Sequence, residues 1–94
     1  MKHKWSECDD LAALYLYKHG TTHIGLSLEN LARRFGIGIA SMKMRVKNFQ
    51  SADGGPGLPN VAGQSRSVLA RFGGLPEAEL RGKVLECLKK GHGG

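Results

Sequence analysis

The sequence predicts an all-α fold, a small five-helix domain containing a helix-turn-helix-like unit, with residues 1–94 forming a single domain. Three observations predict it. Apolar residues recur at helical spacing in five segments, serine or proline opens most of them while glycine closes them, and 94 residues suffice for one core without staples.

Helix 1 opens at Ser6-Glu7-Cys8-Asp9, which fits the capping box, with the acids Glu7, Asp9 and Asp10 well placed in a first turn. Leu11, Leu14, Tyr15 and Lys18 follow the i, i+3, i+4, i+7 pattern, and the run Leu11 to Tyr17 is apolar on more than one side. That predicts a central core helix, ended by Gly20, with a loop over Thr21 to Leu26. Trp5 is read as closing the edge of the core, and Tyr15 and Tyr17 as structural.

Ser27 caps helix 2, Leu28 to Phe35, whose core face is Leu28, Leu31, Ala32 and Phe35. Gly36 supplies a left-handed C-cap, and helix 3 runs from about Ile39 to Gln50. Two helices joined by so short a glycine-containing turn make the helix-turn-helix layout, at about 27–50. On helix 3, Ile39, Met42, Val46 and Phe49 form the core face, Ala40, Ser41, Met44, Lys47 and Asn48 point away, and Lys43 and Arg45 lie on the flanks.

Ser51 to Asn60 reads as a Gly/Pro-rich loop, too short to link two domains. Helix 4, Gln64 to Phe72, turns Val68, Leu69 and Phe72 inward and Arg66 and Arg71 outward, and Gly73-Gly74 stops it. The C-terminal helix spans about 76–90, with Pro76 first, Glu77 and Glu79 in the opening turn and Lys89 and Lys90 in the last. Its stripe Leu80, Val84, Leu85 and Leu88 either completes the core or pairs with its copy in a homodimer. His92 to Gly94 reads as a frayed tail.

The net charge of +6 is unevenly placed. Between Leu31 and Pro76 seven basic residues, Arg33, Arg34, Lys43, Arg45, Lys47, Arg66 and Arg71, face one acid, Asp53. Bases spread for solubility alone would not concentrate so; a phosphate-binding face would. Helix 3 carries no acid for i, i+4 pairing, and its small, polar and basic outer side suits a major groove.

Other chemistries are poorly served. His19 and His23 have the spacing of half a zinc site, but no C-x2-C accompanies them and Gly20 separates them, so no metal or other cofactor is expected. Gly54-Gly55-Pro56-Gly57 lacks the Lys-Ser/Thr ending of a phosphate-binding loop. All the acids except Asp53 fall where helix caps or helix surfaces explain them, so a catalytic centre is not expected. No run of apolar residues approaches a membrane span or signal peptide, which places the chain in the cytoplasm. Cys8 and Cys87 are accordingly read as reduced, partly buried thiols, the alternative being a clamp between the first and last helices.

The string Trp5, Glu7, Leu14-Tyr15, Leu31-Ala32, Phe35-Gly36, Ser41-Met42, Met44-Arg45, Asn48-Phe49, Asp53, Gly57-Leu58, Val68 and Phe72 resembles a helical module at the N-terminus of some prokaryotic HNH-type restriction endonucleases. The likeness covers about Trp5 to Phe72 and is densest from Met42 to Phe49. It departs at Ile37, where the resembling proteins tend to carry a base, and at Gly54, where they carry proline. The resemblance implies a DNA-binding or DNA-sensing accessory module, with Arg45 and Asn48 matching its most distinctive part. No nuclease domain follows in this sequence, so the implied role is that of a regulator or accessory protein of a phage or mobile element.

These readings converge on a non-catalytic protein that binds duplex DNA, with Arg33, Arg34, Ser41, Lys43, Met44, Arg45, Lys47, Asn48, Arg66 and Arg71 as candidate contacts. Lys43 and Arg45 are assigned to phosphates, Lys47 and Asn48 to base edges, and Met44 to a thymine methyl or a protein groove. The alternative is a small counter-defence type inhibitor that docks on a protein or nucleoprotein partner through Met44, Ala40 and the Gly/Pro-rich loop.

Overall fold

Ser6 sets the start of the first helix by turning its backbone extended, φ −91° and ψ 170°, so that its hydroxyl accepts the Asp9 N–H at 3.2 Å. The Asp9 carboxylate accepts the Ser6 N–H at 3.0 Å in return. This capping box opens α1, Glu7–His19. The computed structural model describes residues 4–54 and 63–90, and continues with α2 Leu28–Arg34, α3 Ile39–Ala52, α4 Gly63–Phe72 and α5 Glu77–Lys89. No strand occurs among the described residues, so the fold is all-α. The rest of the expected Gly/Pro loop beyond Gly54 and the expected C-terminal tail lie outside the described residues.

α1 is the central element, buried without interruption from Asp9 to Leu16. It packs against α3, α4 and α5, while α2 packs on α3. Leu14 and Tyr15 of α1, Leu31 of α2, Met42 and Phe49 of α3, Val68 of α4, and Leu80 and Val84 of α5 meet in one apolar cluster. Each fully buried side chain of this size contributes about 1.5–3 kcal/mol.

The link between α2 and α3 shows why its glycine is there. Gly36 adopts φ +70°, which a side chain rarely tolerates. That turn lets the Ile37 N–H reach back to the Ala32 carbonyl at 2.8 Å, and Ile37 drops into the core. The expectation that Ile39 belongs to the core face is corrected here. Ile39 is 38% exposed because Ile37, two residues earlier in the link, fills the apolar space at the junction.

Two further corrections concern helix limits and faces. α3 runs on through Ser51 and Ala52, past the point where the sequence predicts the loop to begin. In α5 the buried stripe is Leu80, Val84 and Cys87 with Leu88 half-buried, whereas Leu85 is 43% exposed. At about 100° per residue Leu85 stands some 140° round the helix from Leu80. Leu80 and Val84 are thus taken up in the core with Leu88 packed against it, and Leu85 alone of the four stays open.

The cysteines are joined. Cys8 and Cys87 form a disulfide with Cα atoms 5.9 Å apart, so the clamp holds rather than the reduced pair. It ties the start of α1 to the end of α5, and Tyr15 near the end of α1 donates to Glu77 at the start of α5 at 2.5 Å. The two helices are therefore antiparallel and fastened at both ends. No helix among the described residues is long and apolar enough to cross a membrane.

Candidate nucleic-acid interface

The outer face of α3 is decided by what its inner face must bury. Met42 and Phe49 are fully buried and Val46 half-buried against the core, which turns Ala40, Ser41, Lys43, Met44 and Lys47 to solvent. Arg33 and Arg34 at the end of α2 and Arg66 on α4 are also exposed. None of Arg33, Arg34, Lys43, Lys47 and Arg66 has an acidic partner among the described residues.

Arg45 is the residue that the structure moves out of this set. Its Nε lies 2.6 Å from Asp10 Oδ1 and its Nη2 2.9 Å from Oδ2, a bidentate pair in which the Asp10 side chain is fully buried and Arg45 11% exposed. The guanidinium also lies over the Trp5 ring at 4.5 Å. Gln64 donates to Asp10 Oδ2 at 2.6 Å and to the carbonyls of Trp5 and Ser6, and the buried Ser65 hydroxyl donates to Asp10 Oδ1 at 3.3 Å. Asp10 thereby joins α1, α3 and α4. It is no surface acid, and Arg45 is a positioning residue for α3 rather than a phosphate contact.

Arg71 is exposed as expected, but its charge is answered by Glu7 at 2.6 Å and it lies over Phe72. Such an exposed pair contributes little to stability and still lowers the local positive potential. Asp53 accepts from the Tyr17 hydroxyl at 2.8 Å.

A groove crosses the α3 face between Trp5 and the helix, lined by Trp5, Ala40, Ser41, Met44, Arg45 and Asn48. Asn48 is half-buried, and its Oδ1 is buried with no hydrogen-bond partner. Its environment mixes a methyl, a thioether, a hydroxyl and a carboxamide, with the paired Arg45 as a fixed wall. No group of three or more potential metal ligands occurs among the described residues.

The opposite end of α1 holds the titratable cluster. Burial and then the bond to Glu77 push the Tyr15 phenol up to about 12 from 10.0. The same hydrogen bond, aided by Arg81, His23 and His19 and opposed by desolvation, holds the Glu77 carboxyl below its ordinary 4.5. The neutral phenol is the form favoured by folding. Its contribution is full below pH 10 and is lost as the pH rises from there towards 12. For Glu77 the charged form is favoured, so its contribution is present above pH 4.5 and lost as the pH falls through the lowered value. Thermal midpoints across pH should therefore decline at both ends, and Tyr15→Phe should lessen the alkaline decline, to which Tyr17, raised by its bond to Asp53, also contributes, and should remove about 1–2 kcal/mol of stability. An alkaline decline unchanged in Tyr15→Phe would assign it to other groups.

No protein-family model, curated protein or solved structure matches this chain.

Proposed function

We propose that this protein is a non-catalytic DNA-binding protein that seats α3 in the major groove, with α2 and the turn as its support. The observation that supports the reading best is the acid-free outer surface of α2 and α3 between Glu29 and Asp53, carrying the unpaired cations Arg33, Arg34, Lys43 and Lys47. A purely solvated helix gains from mixed charges at i, i+4; this one forgoes them. The core holds α3 from behind through Met42 and Phe49, and Arg45 holds it through Asp10, so the face is presented by a rigid element.

Binding to a mixed-sequence duplex is expected at about 50 mM salt and to weaken by about a hundredfold at about 200 mM, the loss that roughly four phosphate contacts imply. Lys43→Ala should reduce the slope of log affinity against log salt by about 1. Absence of binding at the lower salt, or affinity indifferent to salt, overturns the reading.

A second reading has its own observation. Ile39 at 38% and Met44 at 48% exposed are two of the three large apolar side chains left open among the described residues, and both lie on α3. They suit a protein partner, in keeping with a small counter-defence type inhibitor acting for a phage or mobile element. Pull-down after nuclease digestion separates the two readings, since a specific partner retained without nucleic acid favours the second.

A further inference from the structure

We propose that the groove beside Trp5 reads an A·T base pair, with Asn48 bonding the adenine edge and Met44 with Ala40 receiving the thymine methyl. The inference rests on the DNA-binding reading and adds to it a specific base pair.

The argument begins with Asn48. A half-buried carboxamide whose Oδ1 is hidden and unpartnered is an uncommon arrangement, because a buried polar atom without a bond costs free energy. Turning that side chain outward breaks no hydrogen bond at Oδ1 and removes the penalty. At a base edge the same group supplies one donor and one acceptor side by side. Adenine offers the matching pair in the major groove, N7 as acceptor and the N6 amino group as donor, whereas guanine offers two acceptors.

Neighbouring residues fix the rest of the choice. Met44 lies four positions before Asn48 and Ala40 four before Met44, so the three share a row on one face of α3 and line the same groove. Methyl and thioether surfaces next to the carboxamide favour the thymine 5-methyl, which in the major groove belongs to the partner of that adenine. Among the described residues the one cation lining the groove, Arg45, is committed to Asp10 in a bidentate pair, so it is not available for the two acceptors of guanine. Lys43 and Lys47 on the same helix are exposed and unpaired, which gives the face the charge complementarity that duplex phosphates require.

Selection from randomised duplexes, followed by titration of the recovered duplex, tests this. Wild-type protein should enrich an A·T pair at one position, and replacing that pair with G·C should weaken binding about 5- to 150-fold. Asn48→Ala should keep its thermal midpoint, because it removes an unpaired atom, and should lose that discrimination. Replacing the thymine of the pair by deoxyuridine removes only the methyl and should weaken wild-type binding while leaving Met44→Ser indifferent. Enrichment of G·C, or an A·T preference that persists in Asn48→Ala, overturns the assignment while salt-dependent binding to DNA stands. Failure of wild-type protein to bind any duplex overturns the assignment and the DNA-binding reading together.

Discussion

Asp10→Ala is expected to unfold the protein or to lower its stability by about 3–5 kcal/mol, the largest effect of any single exposed or buried polar change here. The carboxylate is fully buried and answers Arg45 through two hydrogen bonds at 2.6 and 2.9 Å. Removing it leaves a guanidinium 11% exposed with no counter-charge, and takes away the acceptor shared by Gln64 and Ser65. Loss of one partner from such a pair costs far more than the pair contributes as a whole. The companion change makes the point testable. Replacing both members, Asp10→Leu with Arg45→Met, should recover much of the loss, because an apolar pair of similar volume has no charge to desolvate. Urea unfolding monitored by circular dichroism gives the three stabilities, and an Asp10→Ala protein within about 1 kcal/mol of wild type would show that the pair is not a structural hub.

Reduction of the Cys8–Cys87 bond should cost about 2–4 kcal/mol, and the effect should appear as a lower urea midpoint. The sequence separation is 79, so the bond restricts almost the whole unfolded chain, and chain-entropy arguments place long loops at the upper end of the range. α5 would remain attached by Leu80 and Val84, both fully buried, and by the bond from Tyr15 to Glu77. The reduced protein is thus expected to fold, with the end of α5 near Cys87 loosened first. Amide hydrogen exchange should show that loss of protection near Leu88, with the start of α5 still protected. The Cys8→Ser, Cys87→Ser double variant should match the reduced wild type. Two free thiols titrated in the unreduced protein, with a midpoint indifferent to reductant, would contradict the bond.

The class of fold and the succession of its helices were legible from the sequence because they rest on local chemistry. A serine followed three residues later by an acid opens α1, a glycine able to take φ +70° closes α2, and a 3.6-residue period places Leu31, Met42, Phe49, Val68, Leu80 and Val84 inside. The outward direction of Lys43, Met44 and Lys47 follows from the same period. Residues near the faces' margins were harder. Ile39 and Leu85 are apolar yet exposed, since Ile37 and Cys87 already occupy the core positions beside them.

Pairings between distant residues were decided only by the tertiary structure. Asp10 and Arg45 are each explicable locally, one as an acid near a helix start and the other as a base on a helix flank. Yet Asp10 precedes Leu14 by four residues, and Arg45 follows Met42 by three and precedes Phe49 by four, so each lies in register with core residues of its helix. That register is the signal the sequence does carry, and it marks each as facing inward without saying what it meets. Which buried charge answers which, and whether Cys8 reaches Cys87, depends on how α1 is laid against α3 and α5, because two groups 35 or 79 positions apart interact only once the chain has brought them together.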